Sequence, residues 1–201
     1  MEKKTTDIVI VGVGGQGILL TSDILAEVAF REGYDVKKSE IHGMAQRGGS
    51  VISEVRFGEK VFSPLIKKGE ANFLVALEKL EALRFSSYLK KDGILIVNDM
   101  KIPPLGVSLG KEKYPEDIFS ILERKKFCLI KVDGLALAEK AGNLKVINVA
   151  LLGVLSCFLP FSLSTWEKII ENMVPSHTVE CNLKAFRLGR KWKSSEATIV
   201  S

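Results

Sequence analysis

Six residues, Gly12-Val13-Gly14-Gly15-Gln16-Gly17, have the types and spacing of a phosphate-holding turn. Glycines permit positive φ and let backbone N–H groups approach an anion closely, and the start of a following helix adds partial positive charge. The G-x-G-x-x-G pattern carries weight only between a strand and a helix. Both are predicted here. Ile8 to Val11 is a β-branched run suited to a strand buried on both faces, and from Ile18 to about Phe30 the apolar residues recur at helical spacing, with Gly33 as a stop. A bland alternative is that the glycines merely fit a tight turn. A second group, Gln46-Arg47-Gly48-Gly49, sets a guanidinium and an amide beside two glycines, a pairing that gives an anion both charge and close backbone contact. With the second strand beside the first in a parallel sheet, both loops emerge at the carboxyl edge, where such sheets bind ligands.

A dinucleotide site also wants an acidic residue about 20 residues past its glycines, to hold the ribose. Glu40 is near that place. An independent NAD(P)-binding oxidoreductase or regulatory domain is therefore an alternative reading, although it leaves the Gly43 to Gly49 loop unexplained. The three cysteines, Cys128, Cys157 and Cys181, are too far apart for the close spacing of a zinc or iron–sulfur site, and their odd number suits reduced thiols better than a disulfide scaffold. His42 and His177 have no nucleophile at a telling spacing, so catalytic residues are not assigned. His42 can meet a ligand or a partner, but loop histidines more often satisfy backbone groups; His177 is expected near a helix cap.

Those loops need a scaffold. Further strands are predicted at Tyr34 to Ile41, Ser50 to Phe57, Asn72 to Ala76, Ile94 to Val97 and Phe127 to Val132, with a short returning strand at Val61-Phe62 that would make the sheet mixed. Helices are expected at about Leu77 to Lys90 and Pro115 to Lys125, then Leu135 to Ala141, Val146 to Leu159, Thr165 to Met173 and Thr178 to Lys193. Ser164 and Glu167 have capping-box spacing. This is a three-layer α/β/α Rossmann-like domain with a mostly parallel, mixed sheet and a helical C-terminal region, read as one domain over residues 1–201. A net charge of +5 spread along 201 residues gives no footprint for nucleic acid, and no signal peptide or membrane-length apolar stretch is visible, so the chain is expected to be cytoplasmic.

Gly12 to Leu20, then Glu40-Ile41-His42-Gly43-Met44-Ala45-Gln46-Arg47-Gly48-Gly49-Ser50-Val51, resemble the small (beta) subunits of indolepyruvate:ferredoxin oxidoreductases and the gamma domains of pyruvate and 2-ketoisovalerate oxidoreductases. Asn148 to Gly153 and Glu180 to Gly189 extend the similarity almost to the C-terminus. The block around His42 to Ser50 favours the indolepyruvate branch. Such enzymes oxidatively decarboxylate a 2-oxoacid to an acyl-CoA and CO2 and pass the electrons to ferredoxin. The resemblance implies that thiamine diphosphate and the [4Fe–4S] clusters reside on a large alpha subunit, which would be this chain's partner, for the chain has neither a G-D-G segment nor cluster-type cysteines. It further implies a shared coenzyme A site, carried over to Gly12, Gly14, Gly15, Gln16 and Gly17, to Gln46 and Arg47, and to Asn148 at a helix start. Where the pyruvate enzymes place lysines, this chain has Ala45-Gln46-Arg47.

Overall fold

The structure, a computed structural model, describes residues 4–42, 49–125 and 127–192, and for His42 the backbone alone. Gln46 and Arg47 thus lie outside the described residues. Six strands form one sheet in the order β2-β3-β1-β4-β5-β6: β1 is Thr6–Val13, β2 Asp35–His42, β3 Ser50–Gly58, β4 Ala71–Ala76, β5 Leu89–Asn98 and β6 Cys128–Val132. β1, β4, β5 and β6 run parallel, while β3 is antiparallel to both β1 and β2. The sheet is mixed, as expected, but for a different reason. The hairpin is β2–β3, and Val61-Phe62 is not a strand: Val61 is buried with its N–H on the Asp35 carboxylate at 2.8 Å, and Phe62 faces solvent.

Ile8 to Val11 are fully buried and alternate between the two sides of the sheet. One side is covered by α1 (Ile18–Arg31), α5 (Gly134–Ala141), α6 (Ile147–Ser156), α7 (Leu163–Met173) and α8 (Val179–Lys191). The other carries the short helices α2 (Lys79–Phe85), α3 (Leu105–Ser108) and α4 (Ile118–Glu123). The helix expected to reach Lys90 stops at Phe85 and yields to a 3-10 turn, Ser86–Tyr88; β5 begins at Leu89 and passes through Asp92 at φ 61° with a register shift against β4. Pro115 stands three residues before α4 instead of in its first turn, and the proline-containing stretch before it holds α3, which periodicity did not reveal. α7 is capped by Ser162, whose Oγ accepts from the Thr165 N–H at 3.1 Å, not by Ser164. Among the described residues no helix is long and apolar enough to cross a membrane.

Candidate functional site

Because two antiparallel steps restore direction, β2 ends at the same edge as β1 even though β3 separates them. The first loop and the described end of the second meet there: the Gly14 N–H donates to the Gly49 carbonyl at 2.9 Å. The premise that β2 pairs with β1 is corrected, because β3 lies between them.

The glycines of the first loop divide their tasks. Gly12 is buried, and a Cβ there would lie 2.7 Å from the Gln16 Oε1, so this glycine makes room for a side chain of its own loop. Gly15, at φ 99°, is exposed and has nothing within 4 Å of where a Cβ would stand. Gly17, at φ 78°, is the residue before α1, and Asn148 fills the space beside it. Its carbonyl accepts from the Thr21 N–H at 3.0 Å, the Thr21 hydroxyl at 2.9 Å and the Asn148 Nδ2 at 3.3 Å. Gln16 faces inward, with Oε1 accepting from the Val13 N–H at 2.7 Å and Nε2 donating to the Leu77 carbonyl at 3.0 Å and to the Met100 sulfur at 3.5 Å. Its amide is thus occupied by the protein.

Gly15, Gln16 and Gly17 form one side of a cleft of about 620 Å³. Leu77, Met100 and Ile102 supply an apolar side from the ends of β4 and β5, and the turn before α6 supplies Asn143 and Lys145, with the buried Asn148 from the first turn of α6. The turn before α8 closes it with His177 and Thr178, and α8 adds Asn182. α1 begins at the cleft without a side-chain cap, so the N–H groups of its first turn have no partner inside that helix; α6 instead continues directly from a 3-10 turn, Leu144–Val146. The cleft therefore joins a helix start and a lysine to an apolar wall. Of the residues expected from the sequence, Gly15, Gln16, Gly17 and Asn148 line this cleft and Gly12 and Gly14 do not; Lys145 and His177, each two residues before its helix, were not expected here and reach it only once α6 and α8 are brought to the glycine loop.

No group of three His, Cys, Asp or Glu is placed to hold a metal among the described residues, the cysteines are unpaired, and burial pushes the Cys128 thiol up, away from thiolate chemistry. Glu40 does not approach the loop either. It sits on the edge strand opposite Ser53, ion-paired with Lys38, two strand spacings or about 10 Å from β1. A ribose bound across the glycine loop is out of its register, which removes the main support for the NAD reading.

The chain is a mixed α/β domain whose glycine turn lines a cleft at the carboxyl edge of its parallel strands. Residues 7–192 match the model of the pyruvate ferredoxin/flavodoxin oxidoreductase family, and the chain belongs to that family. It is 43% identical over 195 residues to the indolepyruvate oxidoreductase subunit IorB of Thermococcus kodakarensis, covering 94% of this chain and 96% of that one. With the IorB subunit of Archaeoglobus fulgidus it shares 44% identity over 187 residues, 91% of this chain and 92% of the other. Among solved structures, the gamma subunit of a keto/oxoacid ferredoxin oxidoreductase from Geobacter sulfurreducens superimposes with a TM-score of 0.70 at 26% identity, covering 92% of this chain and 96% of that one.

Proposed function

We propose that this chain is the small, non-redox subunit of an indolepyruvate-type 2-oxoacid:ferredoxin oxidoreductase and that its cleft receives the phosphate-bearing part of coenzyme A. The single observation carrying the reading is the meeting of the glycine loop, the α6 start and Lys145 in one cleft, in a chain whose family membership spans nearly its whole length. The N–H groups at the start of α1, with Lys145, suit a diphosphate; Leu77, Met100 and Ile102 suit the alkyl parts of the pantetheine arm. Thiamine diphosphate, the [4Fe–4S] clusters and the contact with ferredoxin belong in this reading to a large partner subunit of a cytoplasmic assembly, and Gln46 and Arg47 are further candidates for the CoA contact. What this chain does is bind and orient: it holds the anionic end of the acyl acceptor while the partner's chemistry acts on the 2-oxoacid.

The test is reconstitution with the large subunit and an assay of CoA-dependent indolepyruvate oxidation. Activity should require both chains. Lys145→Ala should raise the KM for CoA roughly tenfold, the loss of one charge-assisted contact, and Gly15→Asp, which sets a carboxylate at the exposed turn, should raise it further; the KM for indolepyruvate should stay within about twofold. Full activity of the large subunit alone would sink the subunit reading, and an unchanged CoA dependence in both variants would sink the cleft assignment.

A further inference from the structure

The Leu77 carbonyl, just past the end of β4, accepts two side-chain amides: the Gln16 Nε2 at 3.0 Å and the Asn98 Nδ2 at 3.1 Å. Each amide uses its oxygen elsewhere. Gln16 Oε1 takes the Val13 N–H at 2.7 Å, and Asn98 Oδ1 takes the N–H of Gly134, the first residue of α5, at 3.0 Å. A continuous chain of hydrogen bonds therefore crosses the ends of β1, β4 and β5 to the start of α5, beneath the cleft. A carboxamide offers an uncharged donor and an acceptor on one planar group, which is what such a relay uses. Room for it is built in at both ends: a Cβ on Gly12 would lie 2.7 Å from the Gln16 Oε1, and one on Gly134 would lie 2.6 Å from the Asn98 Oδ1. Asn98 is 1% exposed and does not line the cleft, whereas Leu77, which it holds, does.

From this geometry we infer that Gln16 and Asn98 are positioning residues, a buried amide clamp on the Leu77 carbonyl that fixes the height of the Gly14 to Gly17 turn before any ligand arrives. The inference rests on the CoA reading of the cleft and reassigns Gln16 from phosphate contact to support. Its physical content is preorganisation: a turn already held in its binding shape spends no ligand affinity on ordering, and a turn released from the clamp must be ordered by the ligand.

The experiment uses the complex reconstituted with the large subunit. Asn98→Asp keeps the acceptor for Gly134 and loses the donor to Leu77; Asn98→Leu removes both without adding charge; Gln16→Met breaks the other arm. Each is expected to raise the KM for CoA about five- to tenfold, the effect of one lost buried hydrogen bond, while kcat at saturating CoA and the KM for the 2-oxoacid stay within about twofold. A residue of merely structural importance would lower the active fraction, and so kcat, with both KM values unchanged; that result in the variants that assemble overturns the clamp. Lys145→Ala, run alongside, separates the two ideas. If it raises the KM for CoA while the amide variants do not, the clamp alone fails. If it and Gly15→Asp leave CoA dependence intact, the CoA reading fails and takes the clamp with it.

Discussion

The two faces of the sheet are held by different forces, and the cleft lies where they meet. On the side of α1 and α5–α8 the contacts are almost wholly apolar: Trp166, Phe186 and Phe57 are buried, and rings run in sequence from Tyr34 through Phe57, Phe161 and Trp166 to Phe186 at centroid separations of 5.2–6.0 Å. On the side of α2–α4 the helices are only 4–7 residues long, and polar groups do much of the fastening. Glu78, 1% exposed, caps α2 through the Glu81 N–H at 2.9 Å and also accepts from the Ile102 N–H at 3.1 Å and the Tyr114 hydroxyl at 2.5 Å. Burial, with the Glu78 carboxylate beside it, holds the Tyr114 hydroxyl far above its ordinary range, so it remains a donor. One wall of the cleft, with Asn148, is thus packed; the other, with Met100 and Ile102, is latched. Packing resists deformation everywhere at once, whereas a latch fails at a single residue.

The sharpest way to break the packed side is Gly189→Ala. α6 and α8 cross so closely that a Cβ on Gly189 would lie 2.0 Å from the Ala150 carbonyl oxygen, a backbone atom that cannot step aside without moving the helix. Overpacking of this kind costs about 3 kcal/mol or more, which in a chain of this size lowers Tm by roughly 6–12 °C. Calorimetry of the isolated chain measures it. A fall of only a degree or two would mean that the α6–α8 contact yields easily, and the contrast between the faces would lose its basis.

The latched side predicts a smaller, more local loss. Glu78→Ala strands the Ile102 N–H and the Tyr114 hydroxyl and removes the α2 cap, at a cost of about 2–3 kcal/mol. Hydrogen exchange should speed most at Ile102 and in α2, leaving α6 and α8 protected. Uniform loss of protection across both faces would show that the latch is not separable from the core.

These differences explain what the chain revealed in advance. Regularity was readable wherever burial imposed it: the fully buried run of β1, the amphipathic α1 and the C-terminal helices were each located from their apolar spacing. The hairpin escaped because β2, an edge strand of mixed residues such as Asp35, Lys37, Lys38 and Ser39, has no strong pattern, and pairing direction is a tertiary fact that no local signal states. α3 and the early start of β5 were hidden for a related reason, since short polar-flanked elements owe their shape to contacts such as that of Glu78 with Ile102. At the site, the glycine loop was legible as a motif, but the same glycines that suggest phosphate contact also admit the Gln16 and Asn148 amides, and only coordinates separate those uses. Lys145 and His177 reach the cleft through helix packing across more than 120 positions, which spacing within a motif cannot convey.

The finest probe of the polar side is pH. Glu54 on β3 is 3% exposed, one of its carboxylate oxygens lacks a hydrogen-bond partner among the described residues, and the groups nearest it on the same side of the sheet are Asp7 and Arg56, themselves ion-paired at 2.8 Å. Burial raises the Glu54 carboxyl above its ordinary value; the Ile66 N–H and the Arg56 charge oppose the shift without cancelling it. A carboxyl whose pKa is higher folded than unfolded favours folding while protonated. That contribution is complete below the unfolded value, near pH 4.3, and is lost as pH rises through the folded one, because the unfolded chain then ionises more readily than the native one. Glu54→Gln, which keeps the shape and never ionises, should therefore gain on the wild type as pH rises from mildly acidic to neutral. Urea unfolding of both proteins from about pH 4 to pH 8 measures the difference. A gap that stays constant with pH, or one that widens toward acid, would mean that Glu54 is held charged by Arg56, and that the α2–α4 side tolerates a buried carboxylate as an ion pair instead of as a neutral acid.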